Sequence, residues 1–396
     1  MAHRGFFIQP DKKVKPCCVF KEFDEPLYYD ETKSFDELFN SPQFQDLRQK
    51  LSDGVKYDGC SDCWGGRSSH REGMNRMYSA PTFEFTPSLT EKDIFYLDLR
   101  ISNLCNFKCR MCNPTYSSSW GDEMKKYSKE YFWSEPTQRI IKGEWMTPLI
   151  NNLDKVTNIY LGGGEPIIMK ETYELLDALK ERSEHISLFI NTNLSTLTYK
   201  NNHILEAVKN FRQCQWFISC DGLNEIGEYQ RTGFKTDVFF KNMDELVNSI
   251  AGQSKFSYKI IYAISNINIF DVFNTYHTIK DRYNNDQLTL DFQIVDNPWT
   301  FSIRNCSNKF KDRVRKFIAE NRDSIKDQDT QIRLDALLDF ISNDDSIPDC
   351  DENTNRISLM MEMDKVRNEN LFKVAPWLRE EYDFFKSKKW IDPKTL

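Results

Sequence analysis

The chain is 396 residues long, 39% hydrophobic and 14% aromatic, enough to bury a large core in two or three domains. Lys+Arg total 53 against 60 Asp+Glu, a net charge of −7 that argues against a general nucleic-acid binder, which needs a basic field. No apolar run reaches the ~20 residues of a membrane helix, and the opening Met1–Ile8 turns polar too soon for a secretory leader. A cytoplasmic protein without membrane or nucleic-acid partners is therefore expected.

Residues 5–20 read as a β-hairpin, with Phe6-Phe7-Ile8, a polar turn at Pro10–Lys13, then Val14 to Phe20. Ser34-Phe35-Asp36-Glu37 has the form of a capping box and starts a short helix. Ser41-Pro42 starts another, with Phe44, Leu47 and Leu51 at helical spacing and Gly54 as its C-cap. Cys60 and Cys63 follow in a glycine-rich loop. Residues 1–80 thus form a small core that a metal cluster would staple, and 81–92, with two prolines, form a linker.

From Phe95 to Ile101 apolar and polar residues alternate as in a strand. Short apolar runs recur at Val156–Leu161, Ile186–Ile190, Gln215–Ser219, Tyr258–Ile264 and Leu288–Val295. Helical stretches such as Ile167–Ser183, Ile204–Phe211 and Val238–Ile250 separate them. This is the rhythm of βα repeats, so the expected fold class is α/β, a partial (β/α)6 TIM-like barrel over 93–300 with an insertion at 113–150. Its chemistry should sit at the strands' C-terminal ends. There lie Cys105–Cys112, Gly162–Pro166, Asn191–Asn193, Ser219–Gly222 and Asp296. Residues 301–396 are polar, with helices expected at Phe310–Glu320, Leu334–Ile341 and Leu371–Phe385, a helical extension covering the barrel.

Eleven cysteines in a reducing compartment read as metal ligands, redox groups or buried thiols. Cys105, Cys109 and Cys112 form C-x3-C-x2-C. Structural zinc takes four ligands in closed sites. Three thiolates on a four-iron cluster leave one iron open for a small molecule. Cys17 and Cys18 are adjacent, and Cys60 and Cys63 form C-x2-C. In an extended strand neighbouring side chains diverge. All four cysteines reach one cluster only if the chain bends at Cys17-Cys18; otherwise three ligate and an iron stays open to substrate or to Cys306. A zinc staple is the alternative for this set. Cys214, Cys220 and Cys350 read as plain thiols.

Leu99–Cys112 resembles the cluster loop of radical S-adenosylmethionine (SAM) enzymes, with the aromatic Phe107 before the middle cysteine, and Gly163-Gly164-Glu165-Pro166 resembles their GGE motif. The resemblance implies a [4Fe–4S] cluster on Cys105, Cys109 and Cys112, whose open iron binds SAM. Reductive cleavage then gives a 5′-deoxyadenosyl radical that takes a hydrogen from substrate. Gly163, Gly164 and Glu165 would bind the methionine amino group. Ser219, in Ser219-Cys220-Asp221-Gly222, and Arg231 would contact its carboxylate or the ribose. Asn193 matches a T-N-G motif in part, because Leu194 replaces the glycine.

The N-terminal part is similar to a SPASM or Twitch auxiliary-cluster module, implying a second [4Fe–4S] cluster on Cys17, Cys18, Cys60 and Cys63; such modules usually follow the barrel rather than precede it. The family implies a flavodoxin- or ferredoxin-type electron donor. It implies a peptide or protein substrate that is oxidised, crosslinked or epimerised, or else a small polyol, aminocyclitol or sugar. Other classes remain: an iron–sulfur electron-transfer protein, or a zinc-stapled binding module. Asp296 could act as a general base or cap a helix. Trp120, Tyr131, Phe132, Trp133 and Trp145 could line a substrate groove or pack the insertion onto the barrel.

Overall fold

The computed structural model describes residues 2, 5–61, 96–124, 126–127, 145–283, 288–342 and 350–388. Cys63, the 81–92 linker and Tyr131, Phe132 and Trp133 lie outside these residues. The strands, in chain order, are β1 (Gly5–Ile8), β2 (Lys13–Lys15), β3 (Leu27–Tyr28), β4 (Tyr96–Arg100), β5 (Lys108–Cys109), β6 (Asn158–Gly162), β7 (Ser187–Thr192), β8 (Thr198–Tyr199), β9 (Asn202–His203), β10 (Gln213–Ser219), β11 (Arg231–Thr232), β12 (Phe256–Ile264) and β13 (Leu288–Ile294). The chain divides into two units. The first holds Met1–Cys105, Ile140–Thr192 and Thr196–Trp216, and the second holds Asn106–Arg139, Asn193–Ser195 and Phe217–Leu396.

In the first unit the strand order is β10-β7-β6-β4-β1-β2-β3. β4, β6 and β7 run parallel, in register Leu97↔Ile159 and Ile159↔Leu188. The N-terminal hairpin is not free-standing: β1 pairs in parallel with β4, with Phe6 opposite Leu97. β2 ends at Lys15, short of the expected Phe20, because Pro16–Val19 turn away. Leu27–Tyr28 adds a third strand that the sequence did not announce. The capping box forms as expected, Ser34 accepting from the Glu37 amide while the Glu37 carboxylate accepts from Ser34 N–H at 2.7 Å. Phe6 lies edge-on to Phe35 at 4.9 Å and against Phe39 and Phe44, all buried.

In the second unit the order is β13-β12-β10, and β12 runs parallel to β13. β12 alternates buried Phe256, Tyr258, Ile260, Tyr262 and Ile264 with half-buried Ser257, Lys259, Ile261 and Ala263. One face packs in the core, while the other carries a partly open, mixed surface, as the inner wall of a barrel does. Helices Thr236–Ile250 and Val272–Arg282 follow β10 and β12.

All six expected barrel strands are present, each followed by helix, and the fold is α/β. The stretch 167–183 is divided into a turn at Pro166–Ile168, the helix Lys170–Ala178 and a further turn from Lys180. The C-terminal helices run Asn308–Asn321, Gln328–Ser342, Cys350–Arg367, Leu371–Val374 and Trp377–Lys388. Cys350–Arg367 was not foreseen, and the expected closing helix breaks at Ala375-Pro376, where proline supplies no amide. Among the described residues no helix is long and apolar enough to cross a membrane.

Because β1 is zipped to β4 and Phe6 is fully buried, Phe6→Ala is expected to cost roughly 3–5 kcal/mol. Urea unfolding should show a lowered midpoint for the whole first unit; an early, separate transition of the N-terminal hairpin alone would contradict the shared sheet.

Candidate cluster and cofactor site

The cysteine loop leaves β4 and has almost no regular structure, so its shape must come from contacts. In the first unit those contacts are with Gly163–Glu165, at the end of β6. Gly164 N–H donates to Ser102 O at 2.9 Å and Glu165 N–H to Leu104 O at 2.8 Å, beside Cys105. A Cβ on Gly164 would lie 2.1 Å from the Leu104 carbonyl oxygen, and Gly163 adopts φ +106, so neither position takes a side chain without a shift. The Glu165 carboxylate, 1% exposed, accepts from Ile167 N–H at 3.1 Å and Thr192 Oγ at 2.8 Å, tying β6 to β7. The motif therefore grips the loop by its backbone and braces itself by its carboxylate.

In the second unit Cys109 lies in β5, paired antiparallel with β11 so that Arg231 is opposite Cys109 and Thr232 opposite Lys108. Arg231 Nη1 is 3.2 Å from Asp221 Oδ2, and Asp221 Oδ1 accepts from Ala263 N–H at 2.9 Å. Burial raises the Asp221 carboxyl pKa, opposed by Arg231. Asp221 thus sets Arg231 beside the cysteine loop and ties the end of β10 to β12. Ser219 sits half-buried at the last position of β10. Phe107 and Asn193 meet in a cleft of about 210 Å³ with Asn106, Ser195 and Lys235. Asn193 Nδ2 donates to Asn106 Oδ1 at 3.0 Å, and Asn193 Oδ1 accepts from Ser195 N–H at 2.9 Å. Leu194, where the family motif has glycine, adopts φ +52 with its side chain buried. Side-chain burial offsets a backbone conformation that costs about 1–2 kcal/mol.

Cys105, Cys109 and Cys112 are half-buried and in no disulfide. Burial raises the Cys109 thiol pKa, with Arg231 acting against it. Burial and the neighbouring Cys109 push Cys112 up to about 12. Among the described residues no three Cys, His, Asp or Glu side chains close on a point as a single-ion cage does. The donor set nevertheless fits an iron–sulfur cluster: three thiols, in no disulfide, within eight residues of one chain segment.

In the N-terminal segment the chain does bend at Cys17-Cys18. Lys21 N–H donates to Gly59 O at 2.9 Å, and Phe20 packs on Tyr57, laying this segment against the one carrying Cys60. Cys17 and Cys60 are half-buried and Cys18 is exposed. Besides Cys17, the charges acting on Cys18 are those of Asp98 and Arg100 on β4, an ion pair at 2.8 Å. Cys306 is fully buried and its thiol reaches Ser302 O at 3.9 Å; Cys214 and Cys220 are buried too, as expected of plain thiols. Asp296 is half-buried just past β13. Trp120 and Trp145 are buried packing groups rather than groove walls.

Sequence reasoning missed the charges that hold the loop from the C-terminal side. Lys108 and Arg110 alternate with the cysteines. Arg110 pairs with Asp364 at 2.7 Å and with Glu369, and lies 3.6 Å over the Tyr229 ring. Lys108 pairs with Glu123, which Arg367 also engages at 2.8 Å. Two cations inside a cysteine motif were the signal that buried carboxylates had to answer them.

Gly164→Ala is expected to lose most of the iron held by Cys105, Cys109 and Cys112, because its Cβ would push Leu104 and with it Cys105. Iron per chain after anaerobic reconstitution is the readout, and retention at the wild-type level would contradict the backbone grip.

Residues 99–278 match the model of the radical SAM superfamily, and residues 1–64 that of the iron–sulfur cluster-binding domain SPASM. Among curated proteins, the GTP 3′,8-cyclase of Campylobacter lari is 26% identical over 155 residues, 36% of this chain and 44% of that protein. That of Photorhabdus laumondii subsp. laumondii is 26% identical over 192 residues, 48% of this chain and 53% of that protein. The chain therefore spans about half the length of the curated relatives it matches. Similar solved structures include anSMEcpe with bound AdoMet, at 18% identity and TM-score 0.38 over 58% of this chain and 59% of that one. Another is Streptococcus suis SuiB bound to precursor peptide SuiA, at 15% identity and TM-score 0.36 over 81% and 70%. The chain thus carries a radical SAM domain over residues 99–278, which holds the cysteine loop and the GGE motif, and an iron–sulfur cluster-binding SPASM domain over residues 1–64, which holds the paired N-terminal cysteines.

Proposed function

We propose that the chain is a radical SAM enzyme that oxidises or otherwise modifies a peptide or protein substrate, assisted by an auxiliary cluster. The observation that carries the radical SAM part is the backbone grip of Gly163–Glu165 on the loop that opens the C-x3-C-x2-C motif. Bound at Cys105, Cys109 and Cys112, the [4Fe–4S] cluster with SAM supplies a 5′-deoxyadenosyl radical able to abstract hydrogen from an unactivated C–H bond.

The chain's own residues then divide the work. Backbone at Gly163-Gly164 and the braced Glu165 receive the methionine amino end. Arg231, aimed by Asp221, and Ser219 take the carboxylate or ribose. Phe107 and Asn193, in one cleft, hold the adenosine side. Asp296 accepts the proton lost as the substrate is oxidised. Cys17, Cys18, Cys60 and Cys63 would hold the auxiliary cluster, which would supply an electron acceptor for the oxidised substrate, and a flavodoxin- or ferredoxin-type protein would be the electron donor. The SPASM match at 1–64 supports the auxiliary cluster. A small-molecule substrate is the second reading, favoured by the curated relatives, which are named for a reaction of GTP.

Iron and acid-labile sulfide should be measured for wild type and for the Cys105→Ala/Cys109→Ala/Cys112→Ala variant. About eight irons falling to about four are expected for two [4Fe–4S] clusters. Reduced wild type should form 5′-deoxyadenosine from SAM and the variant should not. Absence of iron in wild type sinks the enzyme reading, and consumption of GTP alongside 5′-deoxyadenosine would replace the peptide reading with the small-molecule one.

A further inference from the structure

The helix Cys350–Arg367 reaches the cysteine loop with its last two turns. Met363 joins Trp120 and Met124 in a buried cluster against which Cys112 packs. The Trp120 indole N–H donates to the Cys109 carbonyl at 2.6 Å. Arg367 lies 4.9 Å over that same Trp120 ring. Its Nε donates to Glu123 at 2.8 Å and its Nη1 to Thr232 Oγ at 2.9 Å, and Thr232 is the β11 residue opposite Lys108. The Arg367 side chain is 1% exposed. Its Nη2 is buried and makes no hydrogen bond of good geometry among the described residues. A buried guanidinium N–H without an acceptor is costly, on the order of 1–3 kcal/mol.

We propose that Arg367 is a positioning residue of the catalytic cluster: supplied from the C-terminal helix, stacked on Trp120 and countered by Glu123, it places a fixed positive charge and one spare N–H beside Cys109. The local charges balance, because Lys108, Arg110 and Arg367 face Glu123, Asp364 and Glu369. Burial works to raise the Glu123 carboxyl pKa, but hydrogen bonds from Lys108 and Tyr127 and the charge of Arg367 hold it below the ordinary value, so it stays an anion. Charge and hydrogen bonding at the ligand sulfurs are the levers that set a cluster's reduction potential. Reduction adds negative charge to the cluster, so a nearby cation favours the reduced form.

The proposal rests on the assignment of the catalytic cluster to Cys105, Cys109 and Cys112, and that assignment would fail first, at the iron content of wild type. The test is a redox titration of the full-length, anaerobically reconstituted protein, following by electron paramagnetic resonance the cluster whose signal changes on adding SAM. Arg367→Gln should shift its midpoint to lower potential and Glu123→Gln to higher potential, with Arg367→Lys closer to wild type than Arg367→Gln. Opposite shifts are not what a merely loosened loop produces. Shifts of the same sign, or no shift in either variant, would overturn the proposal. Where Arg367→Gln fails to fold, Glu123→Gln decides alone: a rise supports the proposal and an unchanged or lower potential overturns it.

Discussion

The structure turns on fixing one irregular loop. Between Arg100 and Cys112 the chain has a single two-residue strand, yet it must present three thiols in a set geometry. Backbone without its own hydrogen-bond ladder has to find partners elsewhere. It finds them in the first unit from the amides of Gly164 and Glu165, and in the second from β11 and the Trp120 indole. The glycines matter because the donors must come to backbone distance, which a Cβ at 2.1 Å from the Leu104 oxygen would forbid.

Charge does the rest, at a cost. Arg110 has a fully buried side chain, and burying an isolated cation is prohibitive unless it is paired and hydrogen-bonded. Asp364, Glu369, the Tyr229 carbonyl and the Tyr229 ring pair its Nε, Nη2 and face, while Nη1 is buried without a partner among the described residues. Replacing such a network with apolar side chains is often neutral or stabilising elsewhere. Its presence beside Cys109 and Cys112 is therefore better explained by geometry and local field than by stability. The same logic separates this network from the surface pairs, such as Lys309 with Glu380, whose exposed side chains give at most about 1 kcal/mol.

How much of this could be read from the sequence follows from which signals are local. Strand alternation and the 30-residue rhythm are local, and all six barrel strands appear close to where they were expected. So are the capping box at Ser34 and the cysteine spacings. Non-local facts were hidden. Nothing in Phe6-Phe7-Ile8 says that it pairs with Tyr96–Arg100, because a parallel partner leaves no turn signal between them. The N-terminal segment was accordingly read as a separate module, whereas its hairpin extends the sheet that carries β4. Asp221 and Arg231 were noted as motif residues, but their pairing, which makes Asp221 a support for Arg231, required the fold.

The helix Cys350–Arg367 is the sharpest instance. Among its described side chains the buried apolar ones are Ile357, Met360 and Met363, too diluted by Asp, Glu, Asn and Arg to register as an amphipathic stripe. A polar helix reads as solvent-facing, and the C-terminal extension was expected to be a cover. Yet Asp364 and Arg367 are among its most buried side chains, facing Arg110 and Glu123. The polarity is itself the functional signal: a loop carrying Lys108 and Arg110 between its cysteines requires buried carboxylates, and a carboxylate such as Glu123 that answers Lys108 also accommodates a second cation. The C-terminal helix supplies both kinds of charge, packed against the segment that carries Cys109 and Cys112.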